Sequence, residues 1–164
     1  MTNKFLRDDI PSPCYVCDEA KLEQNLQLMQ HVQNKAGVDI ILALKGFSMW
    51  STFPLVKQYL KGATASAVWE AKLANYEMGG EVHCYSPAYK QKDMDQLLNL
   101  VHHLSFNSMN QWNQFKEQVM QSSVSAGLRV NPENQEADTP LYNPCAPGSR
   151  LGILASQLEC QELT

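Results

Sequence analysis

At 164 residues, with 44% hydrophobic and 18% charged residues and a formal net charge of -4, the chain suits one soluble globular domain of ordinary size. The acidic balance excludes the basic stripe of a nucleic-acid binder, and no stretch approaches the ~18 apolar residues of a membrane span. The opening MTNKFLRDDIPSP lacks the apolar centre of a signal peptide, and five scattered cysteines read as reduced thiols in a cytoplasmic protein.

In chain order, PCYVC (13–17 with its proline) reads as a short extended piece, and Asp18 as a helix N-cap. Leu22, Leu26, Met29 and Val32 follow at helical spacing, and Gly37 supplies the stop. VDIILAL (38–44) reads as a strand. STFPLVKQYLKG (51–62) reads as a helix with Ser51 as cap and Pro54 in its first turn. A short strand at ATAS, a helix at AVWEAKLANYEMGG, a strand at EVHCYS, a helix at KDMDQLLNL and a strand at VHHLSF come next. Ser108 and Gln111 form a capping box ahead of SMNQWNQFKEQVM, and AGLRVN reads as a fifth strand. Residues 131–148 read as a long loop, and Ser156 with Glu159 as a further capping box.

Strand and helix thus alternate five times at roughly 20-residue spacing, the signature of βα units around a parallel sheet. Two architectures fit: a complete five-stranded doubly wound sheet, or part of an eight-stranded barrel, which needs about 250 residues. The long loop, the helix ahead of the first core strand and a last helix with no stop signal favour a partial (β/α)8 barrel of about five βα units. The expected division is an N-terminal extension and strand at 1–17, then the first part of a barrel domain at 18–164.

Side chains alternate faces along a strand. Val38, Ile40, Leu42 and Leu44 share the face that helices cover, so Ile41, Ala43 and Lys45 look into the barrel. The same parity turns His83, Tyr85, His103, Ser105, Asn107 and Arg129 inward. Lys45 then lies at the C-terminal rim, where barrel enzymes keep their chemistry. A lysine amine that has lost its proton condenses with a carbonyl, and apolar surroundings favour that loss. Phe47, Met49 and Trp50 are candidates for the apolar wall, and pyridoxal phosphate is the common partner of such a lysine. The same strand-end polar residues have a plainer reading, simple contact with solvent. A metal site is not expected. The four histidines (His31, His83, His102 and His103) show no ligand spacing on one face, and Cys14 and Cys17, three apart on an extended segment, point opposite ways.

ILALKGFSMW, GATASAVWEAKLA, GGEVHCYSPAY, SFNSMNQW, GLRVNPE and YNPCAPGSRLGI occur here in the order found in carboxynorspermidine/carboxyspermidine decarboxylases. The chain resembles this family from about Pro13 to Ile153. These are fold-type III pyridoxal phosphate enzymes of the alanine racemase/ornithine decarboxylase group. Related ornithine and diaminopimelate decarboxylases follow the lysine with a small residue and asparagine, where this chain has Gly46 and Phe47.

The resemblance implies decarboxylation of a carboxylated triamine to norspermidine or spermidine in polyamine biosynthesis, with Lys45 catalytic and bonded to pyridoxal 5'-phosphate. It implies cofactor-facing roles for Arg129, Arg150, Ser66 and Asn107. Glu70 lies where relatives carry a helix-start glutamate, and is equally read as a favourable charge in a first helical turn. The first strand would join a C-terminal β-domain, and the full-length enzyme would be a homodimer. The phosphate-binding glycine loop and the ring-stacking histidine would follow residue 164, so a chain of this length alone is expected to be inactive. The alternatives are another fold-type III enzyme (an ornithine or diaminopimelate decarboxylase, or an amino-acid racemase), a non-catalytic pyridoxal phosphate carrier on a single barrel, and a five-stranded flavodoxin-like domain.

Overall fold

The computed structural model describes residues 10–134, 136, 139 and 142–158. Helix α1 (Glu19–Ala36) starts where the Asp18 side chain accepts from the Lys21 N–H and ends at Gly37, which takes the left-handed conformation at φ 66°. Five strands follow: β1 (Leu42–Ala43), β2 (Gly62–Ala65), β3 (Glu81–Tyr85), β4 (His103–Phe106) and β5 (Ser125–Leu128). They form one parallel sheet in the order β1-β2-β3-β4-β5. Helices α2 (Phe53–Val56), α3 (Val68–Leu73), α4 (Gln91–Leu97) and α5 (Met109–Met120) fill the successive connections. Sequential neighbours all running the same way is the sheet of a barrel, and it displaces the doubly wound alternative, in which strand order reverses part-way.

The register explains the core. Leu42 pairs with Ala63, Ala63 with Val82, Cys84 with Leu104, and Leu104 with Ala126. Ala63, Val82, Cys84, Leu104 and Phe106 are fully buried against Phe53, Val56, Ala71, Met94, Leu97 and Phe115 of the helices. Small residues on β2 let the α2–α3 side approach closely, while large ones on β4 meet the longer α5. Two glycines allow β2 and β3 to meet at their start. A Cβ on Gly62 would overlap the Glu81 carbonyl, and one on Gly80, at φ 78°, would strike the Lys61 carbonyl.

Several elements are shorter than expected. The strand predicted at 38–44 forms a ladder only at Leu42–Ala43, because it has a partner on one side alone. The helix predicted at 51–62 is a 3-10 turn at Trp50–Thr52 followed by α2, and Ser51 is not its cap; Thr52 holds that position without a side-chain bond. The helix predicted from Ala67 passes into a π-helical turn at Ala74–Met78. Residues 13–17, predicted as a strand, pair with no strand among the described residues, and Tyr15 is fully exposed. Met29 and Val32, placed on the buried stripe of α1, are 40% and 46% exposed, since only Leu26 and Leu22 reach the core.

The predicted fifth strand is two strands. β5 ends at Leu128, and after Arg129 a second piece, β6 (Val130–Asn131), pairs in parallel with β7 (Ile153–Leu154), which leads into α6 (Ala155–Leu158). Arg129 is the junction: its N–H donates to Phe106 O at 2.9 Å, and its carbonyl accepts from Ile153 N at 2.8 Å. The loop that follows is therefore closed at its base by a ladder. The expected capping box at Ser156 and Glu159 lies partly outside the described residues.

Candidate active site

The face of the sheet away from the helices carries its side chains in layers. Ala43, Thr64, His83, His103 and Ser125 share one layer by direct register. Continuing the same pairing one step puts Lys45 and Ser66 level with Tyr85, Ser105 and Gly127, with Asn107 and Arg129 at the next step. His83, Tyr85, His103 and Ser105 lie on the inner face, Asn107 and Arg129 follow β4 and β5 directly, and Lys45 lies two residues past the ladder of β1, in a turn.

Lys45 sits in a tight turn closed by Gly46 N and Phe47 N, which donate to Ala43 O at 3.0 and 3.1 Å. Its side chain is exposed. The apolar wall expected around it is incomplete: Phe47 and Met49 are half-buried, and Trp50 is 62% exposed.

Asn107 is the hub of the rim. Its Oδ1 accepts from the Tyr85 hydroxyl at 2.7 Å and from Gly152 N at 2.8 Å. Its Nδ2 donates to Arg150 O at 2.8 Å, and its own N–H donates to Gln111 Oε1 at 2.8 Å. The Arg129 guanidinium lies over the Tyr85 ring, 4.7 Å from its centroid, a geometry in which the ring face stabilises the cation. Tyr85, Asn107, Arg129 and the backbone of Arg150 thus form one group. The Arg150 side chain is exposed, and Lys45 makes no hydrogen bond or ion pair to this group. Ser66 follows β2 directly, and its N–H donates to Glu70 Oε2 at 2.6 Å.

Two features escaped the sequence reading. The first is a shared device at two strand-to-helix turns. Glu70 at the third position of α3 reaches back to Ser66 N, and Gln111 at the third position of α5 reaches back to Asn107 N. Ser108 does cap α5, accepting from Gln111 N at 3.2 Å, but the return bond lands one residue earlier than a capping box places it. The matching offset, from strand end to acidic or amide residue four later, was the available signal. The second corrects the expectation that no histidines share a ligand spacing on one face: β3 and β4 set His83 beside His103, with Glu81, below the rim, a register that strand parity alone does not give.

Fold and rim together define part of a parallel (β/α)8 barrel, with a lysine following the first strand. No protein-family model matches the chain. Its curated relatives are decarboxylases of carboxylated polyamines. It is 46% identical over 91% of its length to a carboxyaminopropylagmatine decarboxylase from Synechocystis sp.. It is 42% identical over 95% and 37% identical over 87% of its length to carboxynorspermidine/carboxyspermidine decarboxylases from Campylobacter jejuni and Herminiimonas arsenicoxydans. A solved structure of carboxynorspermidine decarboxylase from Campylobacter jejuni, complexed with norspermidine, superposes with a TM-score of 0.83 at 38% identity over 94% of this chain. The chain spans about two fifths of the length of these relatives: 38–40% of the curated proteins and 39% of the solved one. Among the described residues, no helix is long and apolar enough to cross a membrane.

Proposed function

We propose that this chain supplies the lysine-bearing side of a pyridoxal-phosphate-dependent decarboxylase that removes carbon dioxide from a carboxylated polyamine, in cytoplasmic polyamine biosynthesis. The observation that carries the proposal is Lys45 in the turn that follows the first barrel strand, in a chain 37–46% identical to proteins named as carboxylated-polyamine decarboxylases. The homodimer that the family resemblance implies is part of the same proposal.

The residues present fit the cofactor. An anionic aldehyde needs an amine to bond and cations and donors to orient it, and this rim offers Lys45, Arg129, Ser66 and Asn107 in adjacent layers of one face. When bound, pyridoxal phosphate supplies an electron sink for the pair left by the departing carboxylate. The chain's own part is positional and proton-based. Lys45 would hold the cofactor, and its amine at the rim is a group able to carry a proton. Tyr85 fixes the Arg129 guanidinium from beneath, so its charge stays over the inner face rather than swinging into solvent. Asn107 ties the backbone at Arg150 and Gly152 to the strand ends, which sets the height of the rim on that side.

A specific observation favours a second substrate. The relative matched at 46% identity is named for a guanidine-ended polyamine, whereas those at 42% and 37% are named for amine-ended ones. Carbon dioxide release from carboxyaminopropylagmatine, carboxynorspermidine and carboxyspermidine, by an enzyme in which this segment is joined to the remaining length its relatives have, ranks the three. Incubation with pyridoxal phosphate, borohydride reduction and peptide mapping tests the lysine. The expected result is a pyridoxyl group on Lys45, and labelling confined to other lysines would overturn the assignment.

A further inference from the structure

Below the rim, on the same inner face, Glu81, His83 and His103 turn one ligand atom each toward a common point, all within 4.8 Å of one another. Glu81 and His83 lie two apart on β3 and so share a face; His103 is the register partner of His83 on β4. Glu81 Oε2 is 3.2 Å from His83 Nε2 and 3.9 Å from His103 Nε2, and the two imidazole rings lie 4.2 Å apart between centroids, tilted by 41°. Each side chain is between about a third and a half exposed.

We propose that this triad is a binding site for a divalent transition metal of the zinc, cobalt or nickel class. Two imidazole nitrogens and one carboxylate oxygen, converging from one side, make a facial set that leaves the remaining coordination positions open to water. Imidazole ligands disfavour the hard cations calcium and magnesium, which select all-oxygen sets. Ligand atoms around a zinc or cobalt ion with bonds of about 2.0–2.2 Å stand roughly 3–3.5 Å apart. The Glu81–His83 spacing already matches, and a small side-chain rotation of His103 closes the rest. A second carboxylate oxygen is held in reserve for orientation. Glu81 Oε1 is 3.1 Å from Lys61 Nζ, which is itself 2.7 Å from Asp39 Oδ2. This chain of ion pairs pins the Glu81 carboxylate so that Oε2 faces the histidines, the task that outer partners perform in metal sites. The triad is distinct from the decarboxylase reading: it uses none of Lys45, Ser66, Asn107, Arg129 or Arg150, and it stands or falls separately.

The test is titration of the metal-stripped, untagged chain with Co2+ and Zn2+ at neutral pH, followed by visible absorption for cobalt and calorimetry for zinc. One saturable equivalent is expected, weakened at least about tenfold in each of His83→Ala, His103→Ala and Glu81→Gln. It is expected to be retained in Cys14→Ser/Cys17→Ser, which separates the triad from the exposed thiols. Zinc protection of both His83 and His103 from diethyl pyrocarbonate, read by mass spectrometry on the unmutated chain, gives the same answer without relying on variants that fold. Absence of saturable binding, binding lost with the cysteines, or failure of zinc to protect the two histidines overturns the site and leaves the cluster as an ion-pair network.

Discussion

The Tyr85 hydroxyl donates to Asn107 Oδ1 at 2.7 Å, and the same oxygen accepts from Gly152 N, so one buried amide joins strand β3, the end of β4 and the far side of the long loop. Asn107→Ala removes both acceptor and donor and leaves the Gly152 N–H and the Arg150 carbonyl without those partners. A loss of about 2–3 kcal/mol is expected, against about 1 kcal/mol for Tyr85→Phe, which removes a single bond. Urea unfolding measures both, and faster proteolytic cleavage in 142–152 is expected in Asn107→Ala alone.

Lys45 is exposed and has no hydrogen bond or ion pair among the described residues, so its removal should cost little stability. Lys45→Ala is expected to stay within about 0.5 kcal/mol of the parent in urea unfolding. It is expected to lose the borohydride-trapped pyridoxyl label completely. A large stability change would mean that the amine is structural, and would speak against a chemical role.

The reach-back bonds at the two strand-to-helix turns should be separable by charge. Glu70→Ala breaks a charge-assisted bond to Ser66 N at 2.6 Å and is expected to cost about 1–2 kcal/mol; Glu70→Gln, which keeps an acceptor, should cost less than half of that. Gln111→Ala leaves the buried turn at Asn107 short of an acceptor, with an expected cost of about 1–2 kcal/mol. Thermal unfolding of the three variants side by side tests the ranking.

Gly62 is a point where the fold has no slack. In Gly62→Ala the new methyl group meets the Glu81 backbone rather than a movable side chain, so β2 and β3 must separate at their start. Loss of several kcal/mol is expected, enough to abolish cooperative unfolding of this sheet. Gly37→Ala has open space around its Cβ and only its positive φ to contend with, and should cost about 1 kcal/mol. Far-UV circular dichroism during heating distinguishes the two outcomes.

Burial pushes the Cys84 thiol up from its ordinary value of 9.0 to about 11, partly opposed by the bond from Tyr89. Burial also raises the Tyr89 hydroxyl, which donates to Ser105 O at 3.1 Å and accepts from Ser86 N at 2.9 Å. For Cys84 the folded chain holds its proton to higher pH than the unfolded chain. The stability contributed is therefore complete below about pH 9 and is lost as pH rises through 11, an effect of about 2–3 kcal/mol. Unfolding free energies across that window should decline, and should decline less steeply in Cys84→Ala. Below pH 9, an alkylating reagent should modify the exposed Cys14 while leaving Cys84 unmodified in the folded chain.

Much of this was written in the order of residues. The alternation of Val82 and Cys84 with His83 and Tyr85, and of Leu104 and Phe106 with His103 and Ser105, fixed which face of each strand meets the helices. A side chain's face follows from its parity alone, because the pleat repeats every two residues. Asp18, Gly37 and Ser108 marked helix ends because local hydrogen bonds and local φ angles decide those positions. Lys45 was placed at the strand end on the inner face by the same count. What parity could not supply was register. Whether His83 stands beside His103, whether Asn107 reaches both Tyr85 and Gly152, and where the ladder of the fifth strand passes from β4 to β7 depend on how far one strand slides along the next. That offset is chosen by the packing of whole helices against the sheet and by close approaches such as Gly62 against Glu81. Contacts between residues 19 to 45 apart decide it, and no local pattern encodes them.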